Sequence, residues 1–174
     1  MASIRLQAKP VLDVNIEIGG VRIRERDDLA LVSVAGATSL DWLEMPTPTM
    51  STEAGDMRAI SIAQDQVMLI FQHRTPDAER VVRKRLNDGY TTDQTDVWVV
   101  LEVEGPYVRD GLERICPLDL HPEEFSIGSA ARTVMEHMGA MIVRTGTDRF
   151  LLLSARSSAK SFLHAVETSF KNVA

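Results

Sequence analysis

Val14-Asn15-Ile16-Glu17-Ile18, Gly19-Gly20 and Val21-Arg22-Ile23-Arg24 decide the fold class. Apolar and polar residues alternate with period two on both sides of a Gly-Gly pair, which predicts two strands joined by a tight turn. The same grammar recurs twice. Ala59-Ile60-Ser61-Ile62 and Gln66-Val67-Met68-Leu69-Ile70-Phe71 flank the polar pair Gln64-Asp65, and Ala140 to Val143 and Phe150 to Leu153 flank Thr145-Gly146-Thr147-Asp148. Between the hairpins, Leu29 to Val34 and Val97 to Val103 read as more buried strands. An antiparallel, sheet-based architecture follows.

Helices are interleaved with these hairpins. Thr75 is placed as an N-cap, with Pro76 at the first helical position and Gly89 past the C-terminus. That helix buries Ala78, Val81, Val82 and Leu86 and turns Arg80, Arg83, Lys84 and Arg85 outward as a solvated face. Gly105-Pro106 opens a second helix on Val108, Leu112 and Ile115, and a last helix after Ser157-Ser158 buries Phe162, Leu163, Val166 and Phe170. Ala131, Val134, Met135 and Met138 fall at i, i+3, i+4 and i+7, predicting a further helix over 128–138 that ends near Gly139. A short helix is expected from Ser39 to Leu43, and surface loops over 45–56 and 118–127. The expected class is α+β, with antiparallel sheets in ferredoxin-like or split-βαβ units. Two lobes are expected, a strand-rich one at 1–90 and an α+β one at 91–174.

Composition narrows the functional classes. The 174 residues are 44% hydrophobic and 25% charged, far from the signature of disorder, and a chain of this length buries roughly 70% of its unfolded surface. A single cysteine, Cys116, excludes an intrachain disulfide and a thiolate-rich zinc site. The start Met1 to Gln7 lacks the apolar run of a signal peptide, and no stretch of about 18 apolar residues occurs. A cytoplasmic chain outside the membrane is expected. Net charge of −6 disfavours nucleic acid. Residues 93–125 hold nine acids against two arginines, net −7, and 126–174 hold six bases against three acids, net +3; beside ordinary solvation, this polarity suits a docking surface.

The search for chemistry fails motif by motif. No glycine-rich loop leads from a strand into a helix with a following Lys-Ser/Thr, and no serine sits at an elbow between glycines. His73, His121, His137 and His164 form no i, i+4 metal pair. Asp119 and His121 share a face of an extended segment, where local loop hydrogen bonding outweighs acid/base catalysis. No catalytic, cofactor-binding or metal residue is assigned.

One region carries a resemblance. Glu104-Gly105-Pro106-Tyr107-Val108-Arg109-Asp110, Cys116-Pro117-Leu118-Asp119-Leu120-His121-Pro122, Phe125, Gly128, Arg132-Thr133 and Phe150-Leu151-Leu152-Leu153 with Ala155-Arg156-Ser157 resemble the gamma subunit family of heterotetrameric sarcosine oxidases. The resemblance covers about residues 95–165, and its most specific part is Cys-Pro-Leu-Asp-Leu-His-Pro. It implies a fold similar to the first part of folate-dependent aminomethyltransferases. It also implies work beside a large alpha subunit, a flavin-carrying beta subunit and a zinc-binding delta subunit, in an enzyme that oxidatively demethylates sarcosine and passes the one-carbon unit to tetrahydrofolate. FAD, FMN, NAD and tetrahydrofolate are then held by partners, and this chain covers and positions the large one. Cys116, Asp119, His121, Phe125, Arg132 and Arg156 are the motif and interface candidates. The alternative is a free-standing folate-binding or one-carbon transfer domain, whose pterin pocket would draw on Glu102, Glu104 or Asp119.

Overall fold

The computed structural model describes residues 9–37 and 40–173. Eleven strands and three α-helices follow one another as β1 (Asn15–Ile18), β2 (Val21–Glu25), β3 (Leu29–Ala35), β4 (Ser51–Ala54), β5 (Met57–Ala63), β6 (Gln66–Gln72), α1 (Ala78–Arg83), β7 (Tyr90–Asp93), β8 (Trp98–Glu104), α2 (Val108–Glu113), β9 (Ala130–Met135), β10 (Met138–Gly146), β11 (Arg149–Ala155) and α3 (Ala159–Lys171). They build two antiparallel sheets, ordered β1-β2-β8-β11-β10-β9 and β4-β5-β6-β3-β7. The expected α+β class with antiparallel sheets is what the chain adopts.

The apolar runs explain how the sheets stack. In β8, Val99, Leu101 and Val103 face one core while Val100 faces another; in β11, Phe150 and Leu152 oppose Leu151 and Leu153 in the same way. A strand buried on both faces has no polar side to show, so its sequence reads as a continuous apolar run. The core between the sheets pairs Leu29, Leu31, Ile60, Met68 and Ile70 with Val100, Met141, Val143, Leu151 and Leu153. On the outer face of the six-stranded sheet, α2 and α3 contribute Val108, Leu112, Phe162, Val166 and Phe170. On the outer face of the other sheet, Ala78 and Val82 of α1 and the turn at Leu40 and Leu43 cover Val32, Val34, Leu69 and Phe71. The result is four layers: helices, sheet, sheet, helix.

All three sequence hairpins form, as β1–β2, β5–β6 and β10–β11. The sheets do not divide the chain at residue 90, because β2 pairs with β8 through Arg22↔Glu104 and Ile23↔Val103. Glu25 anchors this crossing: its carboxylate accepts the backbone N–H groups of Val11, Leu12 and Asp13, each at 2.8 Å.

Several local expectations are corrected. Residues 130–135 are strand β9 and not part of a helix over 128–138, paired with β10 through Met135↔Met138 and Ala131↔Ile142. The turn between them consists of Glu136 and His137, both at positive φ (44° and 68°), the backbone that a two-residue hairpin loop demands. Apolar spacing at 131, 134, 135 and 138 therefore arose from two antiparallel strands. The loop expected over 45–56 contains β4. The short helix expected from Ser39 starts outside the described residues, as does the Met1 to Gln7 segment; Leu40 and Leu43 close a turn, with the Leu43 N–H donating to Leu40 O at 3.1 Å. α1 spans only Ala78–Arg83, so Thr75 precedes its cap position, Asp77. Gly89, at φ +93°, instead fits close against Ala35 O and Ala37.

Candidate functional site

The motif region begins where β8 ends. Gly105 has φ +149°, and a Cβ there would lie 2.2 Å from Gly20 O, so only glycine lets the β1–β2 turn close onto this strand end. A turn after α2 leads to Cys116, which is buried with its Sγ 3.8 Å from Thr133 Oγ1. A small thiol inside the helix-side core is a packing group.

From Cys116 the chain returns along the sheet as a loop fixed by its own polar groups. Asp119 Oδ1 accepts the His121 N–H at 2.9 Å, and His121 Nδ1 accepts the Glu123 N–H at 3.4 Å. The His121 carbonyl accepts from Glu124 and Phe125 at 3.0 and 2.8 Å. Leu120 and Phe125 anchor the loop in the core. Local hydrogen bonding is thus the role that Asp119 and the His121 backbone play.

Arg144, at the end of β10, is the residue that sequence reasoning missed. It is only 5% exposed, and its guanidinium donates to Phe125 O (2.8 Å), Thr147 O (2.7 Å) and Gly146 O (3.2 Å), with the Phe150 ring 5.6 Å away. One planar fork thereby ties the motif loop to the β10–β11 turn. The sequence signal was an arginine closing the apolar run Ala140 to Val143. Gly128, at φ +94°, continues the attachment: its carbonyl accepts from Ser51 N and Oγ at 2.7 and 2.8 Å, which links the loop to β4 of the second sheet.

The candidate residues do not converge on one point. Asp119, His121 and Phe125 lie in the loop tied to the Arg149 end of β11, whereas Arg156 follows its other end, about 20 Å of strand away. Arg156 donates to Lys9 O at 3.1 Å and stands 3.8 Å from Asp96. It lines a cleft of about 280 Å³ with Asp27, His73, Arg74 and Asp93. Arg132 projects from β9 as an exposed side chain.

The carboxylates that could read a pterin edge are engaged. Glu102 is gripped by Arg24 at 2.6 Å and Arg26 at 2.8 Å. Glu104 lies 2.5 Å from Arg149, whose hydrogen bond holds its carboxyl below the usual range. Arg26 also clasps Asp28 through two bonds of 2.7 and 2.9 Å, which lowers the Asp28 pKa and raises its own. Among the described residues, no group of three His, Cys, Asp or Glu side chains is placed to hold a metal ion.

Comparison with known proteins follows the same line. The family model "Sarcosine oxidase, gamma subunit family" matches residues 23–170. Sarcosine oxidase subunit gamma of Corynebacterium sp. (strain U-96) is 34% identical over 65 residues, 37% of this chain and 32% of that relative. Its counterpart from Corynebacterium sp. (strain P-1) is 32% identical over 87 residues, 50% of this chain and 43% of that one. The chain thus spans less than half the length of these relatives. Among solved structures, a chain of the heterotetrameric sarcosine oxidase from Corynebacterium sp. U-96, in complex with pyrrole 2-carboxylate, superposes with TM-score 0.80 at 20% identity over 90% of this chain and 88% of that one. The glycine cleavage system aminomethyltransferase T from Bartonella henselae gives TM-score 0.64 at 13% identity over 84% of this chain and 45% of that one. At these identities the likeness is one of fold.

Proposed function

We propose, because the chain belongs to the sarcosine oxidase, gamma subunit family, that it is a subunit with no active site of its own in a heterotetrameric sarcosine oxidase-like enzyme. Its task is to cover and position a large alpha subunit beside beta and delta subunits in the cytoplasm. The assembly demethylates sarcosine oxidatively and delivers the one-carbon unit to tetrahydrofolate, with FAD, FMN and NAD bound by the partners. The loop 117–127 and the surfaces near Arg132 and Arg156 are its candidate contacts.

One observation carries this reading: several polar side chains of the motif region are engaged in building the fold. Asp119 closes a turn, Glu102 and Glu104 are bound by arginines, and Arg144 bonds three carbonyls. A motif whose polar groups are engaged internally specifies shape, and shape is what an interface needs. No helix among the described residues is long and apolar enough to cross a membrane.

The competing reading, a free-standing folate-binding domain, predicts saturable binding. Titrating the purified chain with tetrahydrofolate distinguishes the two. We expect no saturation into the millimolar range; a micromolar dissociation constant would contradict the subunit reading.

A further inference from the structure

One end of the six-stranded sheet gathers several elements into a single surface. Arg144 joins Phe125 O to Thr147 O, the Gly105 N–H donates to Asp148 O at 3.0 Å, and the Phe125 N–H donates to His121 O at 2.8 Å. Residues 105–107, 121–128 and 145–149 are thereby neighbours. Two large apolar side chains stand out from this surface, Ile127 at 57% and Tyr107 at 49% exposure. Apolar groups displayed on hydrogen-bonded backbone are available for burial with little further backbone ordering.

Charge at this end is mainly acidic. Glu123, Glu124 and Asp148 are exposed, and among the described residues the only ionic neighbour of Glu123 is His121 at 4.0 Å. Among the described residues, Glu124 and Asp148 have no ion pair with a base. Of the arginines nearby, Arg144 is engaged with carbonyls and Arg149 with Glu104, while the exposed Arg22 lies across the strands from Glu17 and Glu104. An apolar centre with an acidic rim repels a second copy of itself and attracts a basic surface.

We propose that this end docks onto a lysine- or arginine-bearing, partly apolar surface of the large partner subunit, with Ile127 and Tyr107 buried in the contact and Glu123, Glu124 and Asp148 paired across it. The inference rests on the subunit reading and adds the partner's chemistry. The cleft beside Arg156, at the opposite end, lies outside this contact.

The test dilutes the co-expressed assembly and measures its dissociation constant by mass photometry. The chain is wild type, E123K/E124K/D148K, or the control R80E/K84E at exposed positions on α1 and its C-cap. We expect the triple charge reversal to weaken assembly by about tenfold or more, the control to change it by less than about twofold, and added salt to weaken the wild type. If the triple variant melts earlier than wild type, I127S, which keeps every charge, should still weaken assembly by about tenfold. A triple variant or I127S that assembles like wild type, a larger effect of R80E/K84E, or affinity that is flat in salt overturns the proposal. A wild-type chain that assembles with nothing overturns the subunit reading as well, so the two failures are separable.

Discussion

Arg144 shows how one residue sets the geometry of a loop that contains none of its own regular structure. Its five donors reach three carbonyls that no other side chain could serve at once. Arg144→Met keeps the bulk but strands the buried Phe125 carbonyl and leaves those of Gly146 and Thr147 to water, and we expect a loss of about 1–3 kcal/mol by chemical denaturation. Arg144→Lys should recover less than half, because an ammonium cannot span the fork. Asp28 offers a second residue-scale test. Its pKa is lowered in the folded protein, chiefly by the hydrogen bond from Arg26. A depressed carboxylate contributes stability that is present above its unfolded pKa and is lost as pH falls through the folded value. Stability should therefore decline as pH falls below about 4, and Asp28→Asn should show a shallower decline there, measured by urea unfolding at a series of pH values.

At the scale of elements, the hairpins were legible because their turns carry Gly-Gly, Gln-Asp or Thr-Gly-Thr-Asp between alternating or apolar runs. β9 was not. Its connection to β10 uses Glu136-His137, which lacks the Asn or Gly that usually marks positive φ, so the apolar spacing across the turn imitated one helix face. Replacing the pair by Asn-Gly should stabilise the protein by about 0.5–1 kcal/mol in thermal unfolding, whereas the same change inside a helix would destabilise it. α2 and α3 were legible as elements, but not their contact. A Cβ on Gly111 would sit 2.2 Å from the Phe170 ring, so Gly111→Ala should force the helices apart and lower stability by about 1–3 kcal/mol. Within the motif region, the resemblance pointed to Cys116, Asp119, His121 and Phe125. Arg144 stayed hidden because its partners are backbone carbonyls, which leave no residue pattern to read.

The whole molecule is two sheets with helices outside them, a shape shared with a sarcosine oxidase chain and an aminomethyltransferase. Such a stack fills its core with apolar side chains, and several of its motif residues fix a loop and a sheet end. Fold and motif together support the proposal that this chain works by association. The most direct measurement is to tag the chain in its native host, purify it gently, and record the absorption spectrum and subunit composition of what accompanies it. The subunit reading predicts a yellow complex containing a large chain and a flavin-carrying chain; a colourless, solitary protein would contradict it.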